Sequence, residues 1–132
     1  MLGRKSYDND EINAARRMVA QQLKAYAAVS AADGADQLEP VLFNTAAVAL
    51  DRLFVHRVRT FTGKDTNPLS EVEMLAESLL DNDGVLREVS VVKYVPEKSV
   101  LGLKVGDRIT LTADDFERLA DAFLAEVEQR SD

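Results

Sequence analysis

Apolar residues recur at helical spacing over most of the chain. Ile12, Ala15, Val19, Leu23 and Tyr26 follow one another at intervals of three and four, which predicts an amphipathic helix over about residues 9–31. Asp8 or Asn9 supplies its N-cap, and Glu11 sits where the helix dipole favours a carboxylate. Asp33-Gly34 breaks the pattern. A second helix is expected over about residues 37–62, with Pro40 in its first turn and Gly63 as its stop. Its main stripe is Phe43, Ala47, Leu50, Phe54, Val58 and Phe61, and Leu42, Ala46, Ala49 and Leu53 form another beside it. A helix apolar over so much of its circumference reads as the most buried one.

Asn67 and Pro68 open a third helix, expected over about residues 68–82, with Val72, Leu75 and Leu79 facing inward and Gly84 ending it. The pattern then changes. VSVVKYV, residues 89–95, is rich in β-branched residues, and SVLGLKV and RITLT follow it around Gly106-Asp107, so a small sheet of two or three strands is expected within about residues 88–112. Thr112 and Asp115 resemble a capping box for a last helix over about residues 113–130, with Phe116, Leu119, Phe123 and Val127 inside. The predicted fold is therefore mainly α: one domain over residues 8–132 of four helices, with a small β-hairpin or sheet insertion before the last. Residues 1–7 form a flexible or loosely docked arm. The alternative is an α+β domain whose sheet packs on the helices as a full layer.

Composition narrows the function classes. At 132 residues and 46% hydrophobic, the chain has the size and apolar content of a single folded core. No run approaches the roughly 18 apolar residues of a membrane span, and the N-terminus lacks the apolar region of a secretory signal. Cysteine is absent, which excludes disulfides and thiolate chemistry and suits a cytoplasmic setting. The net charge of −7 is uneven, about +1 over residues 1–66 and −8 over residues 67–132. An acidic surface repels phosphate backbones, so nucleic acid is not an expected partner, and neither is a membrane.

Three groups of residues merit attention as chemistry. Arg52, His56 and Arg59 fall within about 60° of one another on a continuous second helix, with Thr45 on the same line. Adjacent cationic heads of this kind can hold a phosphate or carboxylate, although a solvated or ion-paired face is the commoner outcome. His56 is the only histidine, so a histidine-rich metal site is excluded. Asn44 and Asp51 flank the apolar stripe, where polar residues generally pair or fix register. Glu73, Glu77 and Asp81 stand at i, i+4 and i+8, and such a face can hold a divalent cation only if another helix adds ligands. The paired ExxE and ExxD motifs of MazG-type pyrophosphohydrolases are missing, and Arg52 and His56 are too close for the motif of HEPN-type ribonucleases. DNDG at residues 81–84 fails as a calcium loop, because Leu79 and Ser90 would occupy positions that need carboxylates. No phosphate-binding glycine loop, dinucleotide fingerprint or nucleophile elbow is present.

The block FNTAAVALDRLFVHRVRTFTGKDTNPLSEVEML, with LLDNDGVL, VVKYVPEKSVL and VGDRITLTADDFERLADAFL after it, resembles a family of small uncharacterised actinobacterial proteins. The resemblance spans about residues 14–130 and implies a bacterial, cytoplasmic setting. It transfers no functional residues. The expectation from sequence is a helical interaction module, more a binding protein than an enzyme, which pairs with itself as a homodimer or with another protein. It needs no cofactor. The alternatives are an anion-binding regulator using Arg52, His56, Arg59 and Thr45, and a metal-dependent enzyme using Glu73, Glu77 and Asp81.

Overall fold

A computed structural model describes residues 4, 6–54, 57 and 59–131. Five α-helices follow in order: α1 (Asn9–Val29), α2 (Ala35–Leu53), the single-turn α3 (Arg59–Thr62), α4 (Pro68–Asp81) and α5 (Ala113–Arg130). Local sequence explains most boundaries. α1 starts at a capping box in which Asp8 accepts from the Glu11 backbone N–H and Glu11 reaches back to Asp8. α4 starts on Asn67, whose side chain accepts from the N–H groups of Leu69 and Ser70, with Pro68 at the first helical position. α5 has the capping box of Thr112 and Asp115. Pro40 lies in the second turn of α2 rather than the first.

α1 and α2 form an antiparallel pair. Tyr26 stacks edge-on against Phe43 at 5.4 Å and donates to the Ala35 carbonyl, while Val19 lies opposite Leu50 and Leu53 at the other end. α5 crosses beneath and packs on α1, α2 and α4. The core runs along this junction through Phe43, Phe116, Leu119, Phe123 and Phe54, all essentially without solvent contact. Tyr7, expected in a flexible arm, is buried in it. Its ring meets Phe54 at 5.0 Å and Phe61 at 5.6 Å, and its backbone N–H donates to the Ser131 hydroxyl.

Two sequence expectations change. The continuous helix over residues 37–62 is two helices, because α2 stops at Leu53 and α3 begins at Arg59. Of the expected main stripe, Phe43, Ala47, Leu50, Phe54 and Phe61 are buried, and Val58 lies outside the described residues. The second stripe is less buried: Ala46 is buried, Leu42 and Ala49 are half-buried, and Leu53 is exposed. α4 is instead the helix buried over most of its surface, including the polar Ser70, Glu71 and Ser78.

The β insertion is the other correction. Among the described residues, 88–112 contain no strand, so neither the hairpin nor the alternative sheet layer forms. One antiparallel bridge joins Val85 and Arg108, and a single 3-10 turn spans Pro96–Lys98. The reason lies in where the backbone groups find partners. Beyond the backbone bonds between residues 84–86 and 106–109, side chains of α2, α4 and the turn before α4 supply partners in place of a neighbouring strand. Glu71 accepts from the N–H groups of Val100 (2.7 Å) and Leu101 (3.0 Å). The Asn44 amide donates to the Ile109 carbonyl and accepts from the Leu111 N–H. Glu39 accepts from Ala113, and Thr66 serves Lys93 and Val95. The β-branched residues thus line a loop that is pinned point by point to α2 and α4. Asn44 fixes register, as its position beside the apolar stripe suggests.

Candidate functional site

The break after Leu53 builds a cleft. The end of α2, the following turn, α3 and one side of α4 enclose an open cavity of about 360 Å³ lined by Asp51, Arg52, Phe54, Arg57, Arg59, Thr62, Glu73 and Glu77. Two residue groups that were separate along the sequence, the cations after residue 51 and the acidic face of α4, meet here.

Arg57 closes the end of α2. Its guanidinium donates to the Asp51 carboxylate at 2.6 Å, to the Asp51 carbonyl at 3.1 Å and to the Phe54 carbonyl at 2.8 Å. Those carbonyls belong to the last turn of α2 and the residue capping it, where helical partners run out and a cation is favoured by the dipole. The side chains of Arg57 and Asp51 are only 8% and 12% exposed, so this ion pair is buried. The Arg57 Nε has no hydrogen-bond partner. The face of the same guanidinium rests 5.5 Å from the Phe123 ring centre.

Arg59 faces α4. It grips Glu73 with two parallel bonds of 3.0 and 2.8 Å and donates to the Gly63 carbonyl. Gly63, at φ +81°, turns the chain away, and a Cβ there would stand 2.9 Å from an Asp65 carboxylate oxygen. From the far end of the chain, Arg130 donates to the carbonyls of Phe61 and Thr62 and so ties α3 to α5.

Glu77 completes the cleft. Among the described residues it makes no ion pair. Its carboxyl is pushed above the usual range, first by burial and then by the negative charges of Glu73, Asp51 and Asp81, against a smaller opposing effect of Arg87. Arg52 is its counterpart at the rim. It is 57% exposed, and among the described residues its one ion-pair partner is Asp51, at a long 3.9 Å.

The sequence-derived candidates therefore disperse and recombine. Arg52 and Arg59 line the cleft, but Arg59 is spent on Glu73 rather than free for an anion. Thr45 lies outside the cleft, its hydroxyl donating to the Val41 carbonyl within α2. His56 lies outside the described residues. The single helical face proposed for these four residues does not exist, since α2 ends before Arg59. The acidic face is also split: Glu73 and Glu77 enter the cleft and Asp81 does not. Among the described residues no group of three acidic or histidine side chains is placed to hold a metal ion. Sequence reasoning missed Arg57 as a member, because a helical wheel continued past Leu53 turns it away from Arg52.

A second surface stands out on the opposite flank of α2. Met18, Gln22, Ala46, Ala49 and Leu53 border a shallow groove between α1 and α2 that reaches down to Phe116. The groove lies on two longer rows at helical spacing, Met18, Gln22, Ala25 and Val29 on α1 and Leu38, Leu42, Thr45, Ala49 and Leu53 on α2, apolar and uncharged apart from the polar Gln22 and Thr45. Met18, Val29, Leu38 and Leu53 are 40–45% exposed, Leu42 is half-buried, and Val41 beside them reaches 66%.

No helix among the described residues is long and apolar enough to cross a membrane. No family model, curated protein or solved structure matches the chain.

Proposed function

We propose that this chain is a helical interaction module that pairs with a second copy of itself through the joined outer face of α1 and α2. The observation that carries the reading is the pair of exposed leucines on α2, Leu38 and Leu53, with half-buried Leu42 and Ala49 between them and exposed Met18 and Val29 of α1 alongside. Contiguous apolar surface of this kind ordinarily has a partner.

A second copy suits it for two reasons. In a two-fold interface each patch meets its own image, so a charge on the axis would face the same charge. These rows carry none, in a chain whose net charge is −7. The area is also adequate. Helices of 21 and 19 residues are about 30 Å long. Side by side they present a face on the order of 600 Å², close to the roughly 800 Å² per partner of a standard interface. The acidic, cysteine-free composition supports a cytoplasmic setting as part of the same reading.

Light scattering and sedimentation velocity up to on the order of 100 µM test it. The parent chain is expected at dimer mass. Leu38→Glu and Leu53→Glu, both at exposed positions, are expected to give monomers with unchanged helical circular dichroism. A parent chain that stays monomeric at the highest concentration refutes the proposal.

A further inference from the structure

The charge arrangement in the cleft points to a ligand class that neither the apolar face nor a simple anion site accounts for. Six charge-bearing side chains line the cavity: three arginines (Arg52, Arg57, Arg59) and three acidic residues (Asp51, Glu73, Glu77). Four of them cancel in place. Arg57 and Asp51 are paired at 2.6 Å and nearly without solvent. Arg59 and Glu73 are locked in a two-bond pair. Each of these four is held in an ion pair, and a ligand can recruit it only at the cost of that pair.

One group of each sign remains. Glu77 is half-buried and has no ion pair among the described residues. Arg52 is exposed, and its one carboxylate neighbour among the described residues, at 3.9 Å, is already committed to Arg57. The cavity thus offers one unspent carboxylate and one unspent guanidinium within about 360 Å³, at the small end of the ~300–1,000 Å³ span of ligand pockets. A phosphate or dicarboxylate would meet Arg52 but be repelled by Glu77. A polyamine would meet Glu77 but be repelled by Arg52.

We infer that the cleft between the end of α2 and α4 binds a small zwitterion, with its ammonium group on Glu77 and its carboxylate on Arg52. The two internal ion pairs neutralise the other four charge-bearing groups of the cleft.

A ladder of ω-amino carboxylates measures the separation of the two charges directly. Glycine, β-alanine, γ-aminobutyrate and ε-aminocaproate are titrated into the full chain, with propylamine and propionate as single-charge controls. Binding is read by two-dimensional NMR shifts and by thermal shift, since a ligand that binds only the folded state raises the melting temperature. The expected result is one preferred length, with affinity on the order of 1 mM or better and at least about tenfold tighter than either control. Glu77→Gln and Arg52→Gln should each weaken it by about tenfold or more. Both positions carry partial exposure and neither variant removes an internal pair, so folding is checked by circular dichroism and oligomeric mass is read in parallel. Retained mass with lost binding supports the inference independently of self-association. Absence of binding by every member of the ladder overturns it, as does propylamine binding as tightly as the best zwitterion, or binding unaffected by Arg52→Gln.

Discussion

The buried pair between Asp51 and Arg57 gives the sharpest test of how the cleft is held. Arg57→Met keeps most of the side-chain length and removes every donor. Three hydrogen bonds go: the 2.6 Å bond to the Asp51 carboxylate and those to the carbonyls of Asp51 and Phe54. The Asp51 carboxylate is left 12% exposed with only the distant Arg52 as a cation. Breaking a buried pair from one side costs about 3–5 kcal/mol. At about 3–5 °C per kcal/mol for a chain of this size, the melting temperature should fall by roughly 10–20 °C. Asp51→Asn retains one acceptor for the guanidinium and should cost about 1.5–3 kcal/mol. The double variant removes both charges together, so it should cost less than the two singles combined, by about 1–3 kcal/mol of coupling. The partnerless Nε of Arg57 points the same way, because an incompletely satisfied buried cation is worth less than its contacts suggest. Urea unfolding followed by circular dichroism at pH 7 measures all four proteins at equal concentration, so that self-association affects each alike. An Arg57→Met cost below about 1 kcal/mol, or strictly additive singles, would refute the account.

Glu77→Gln should raise the melting temperature at pH 7 and leave it unchanged near pH 4, measured by differential scanning calorimetry. The sign follows from the raised carboxyl: the folded chain holds that proton more tightly, so the contribution is fully present below the ordinary carboxyl value and is lost as pH rises through the raised one. Glu71 is raised too, by burial, against the bonds from Val100 and Leu101. Its role is different, because its two oxygens serve two N–H groups. Glu71→Gln keeps one acceptor oxygen, should cost about 1–3 kcal/mol and should speed hydrogen exchange at Val100 or Leu101; unchanged exchange at both would show that the loop is held elsewhere.

Helix existence was legible in the sequence wherever cap and stripe agreed. Asp8 with Glu11, Asn67 with Pro68, and Thr112 with Asp115 each signal a start that the structure realises. The break after Leu53 was not legible, since no glycine or proline separates Leu53 from Gly63 and the apolar stripe continues through Phe54, Val58 and Phe61. The pattern reports burial, and both sides of the break are buried: Phe54 and Phe61 each pack on Tyr7. Residues 88–112 misled for a related reason. Their alternating β-branched residues mark a half-buried extended chain, but a sheet also needs a neighbouring backbone, and here Asn44, Glu71 and Thr66 supply the partners instead. The cleft was half visible. Arg52, Arg59, Glu73 and Glu77 were all singled out by helical spacing, yet as two unrelated sites, because spacing along one helix says nothing of what a second helix brings to it. Arg57 and the neutralising pairs needed three dimensions.

The bond between the Tyr7 backbone and Ser131 places positions 124 residues apart side by side. The backbone path is therefore nearly a closed ring, with α1 and α5 packed along each other near the seam. A ring can be opened anywhere that neither a helix nor a core contact is cut. Gly106 is such a place, in an exposed turn at φ +97° with nothing within 4 Å of where a side chain would begin, whereas Gly102 lies between Leu101 and Leu103, which pack on the core. Joining residues 7 and 131 with a short glycine-serine connector and cutting at Gly106 would give a circularly permuted chain. New termini would then lie on the pinned loop, and the apolar face of α1 and α2 would be left untouched.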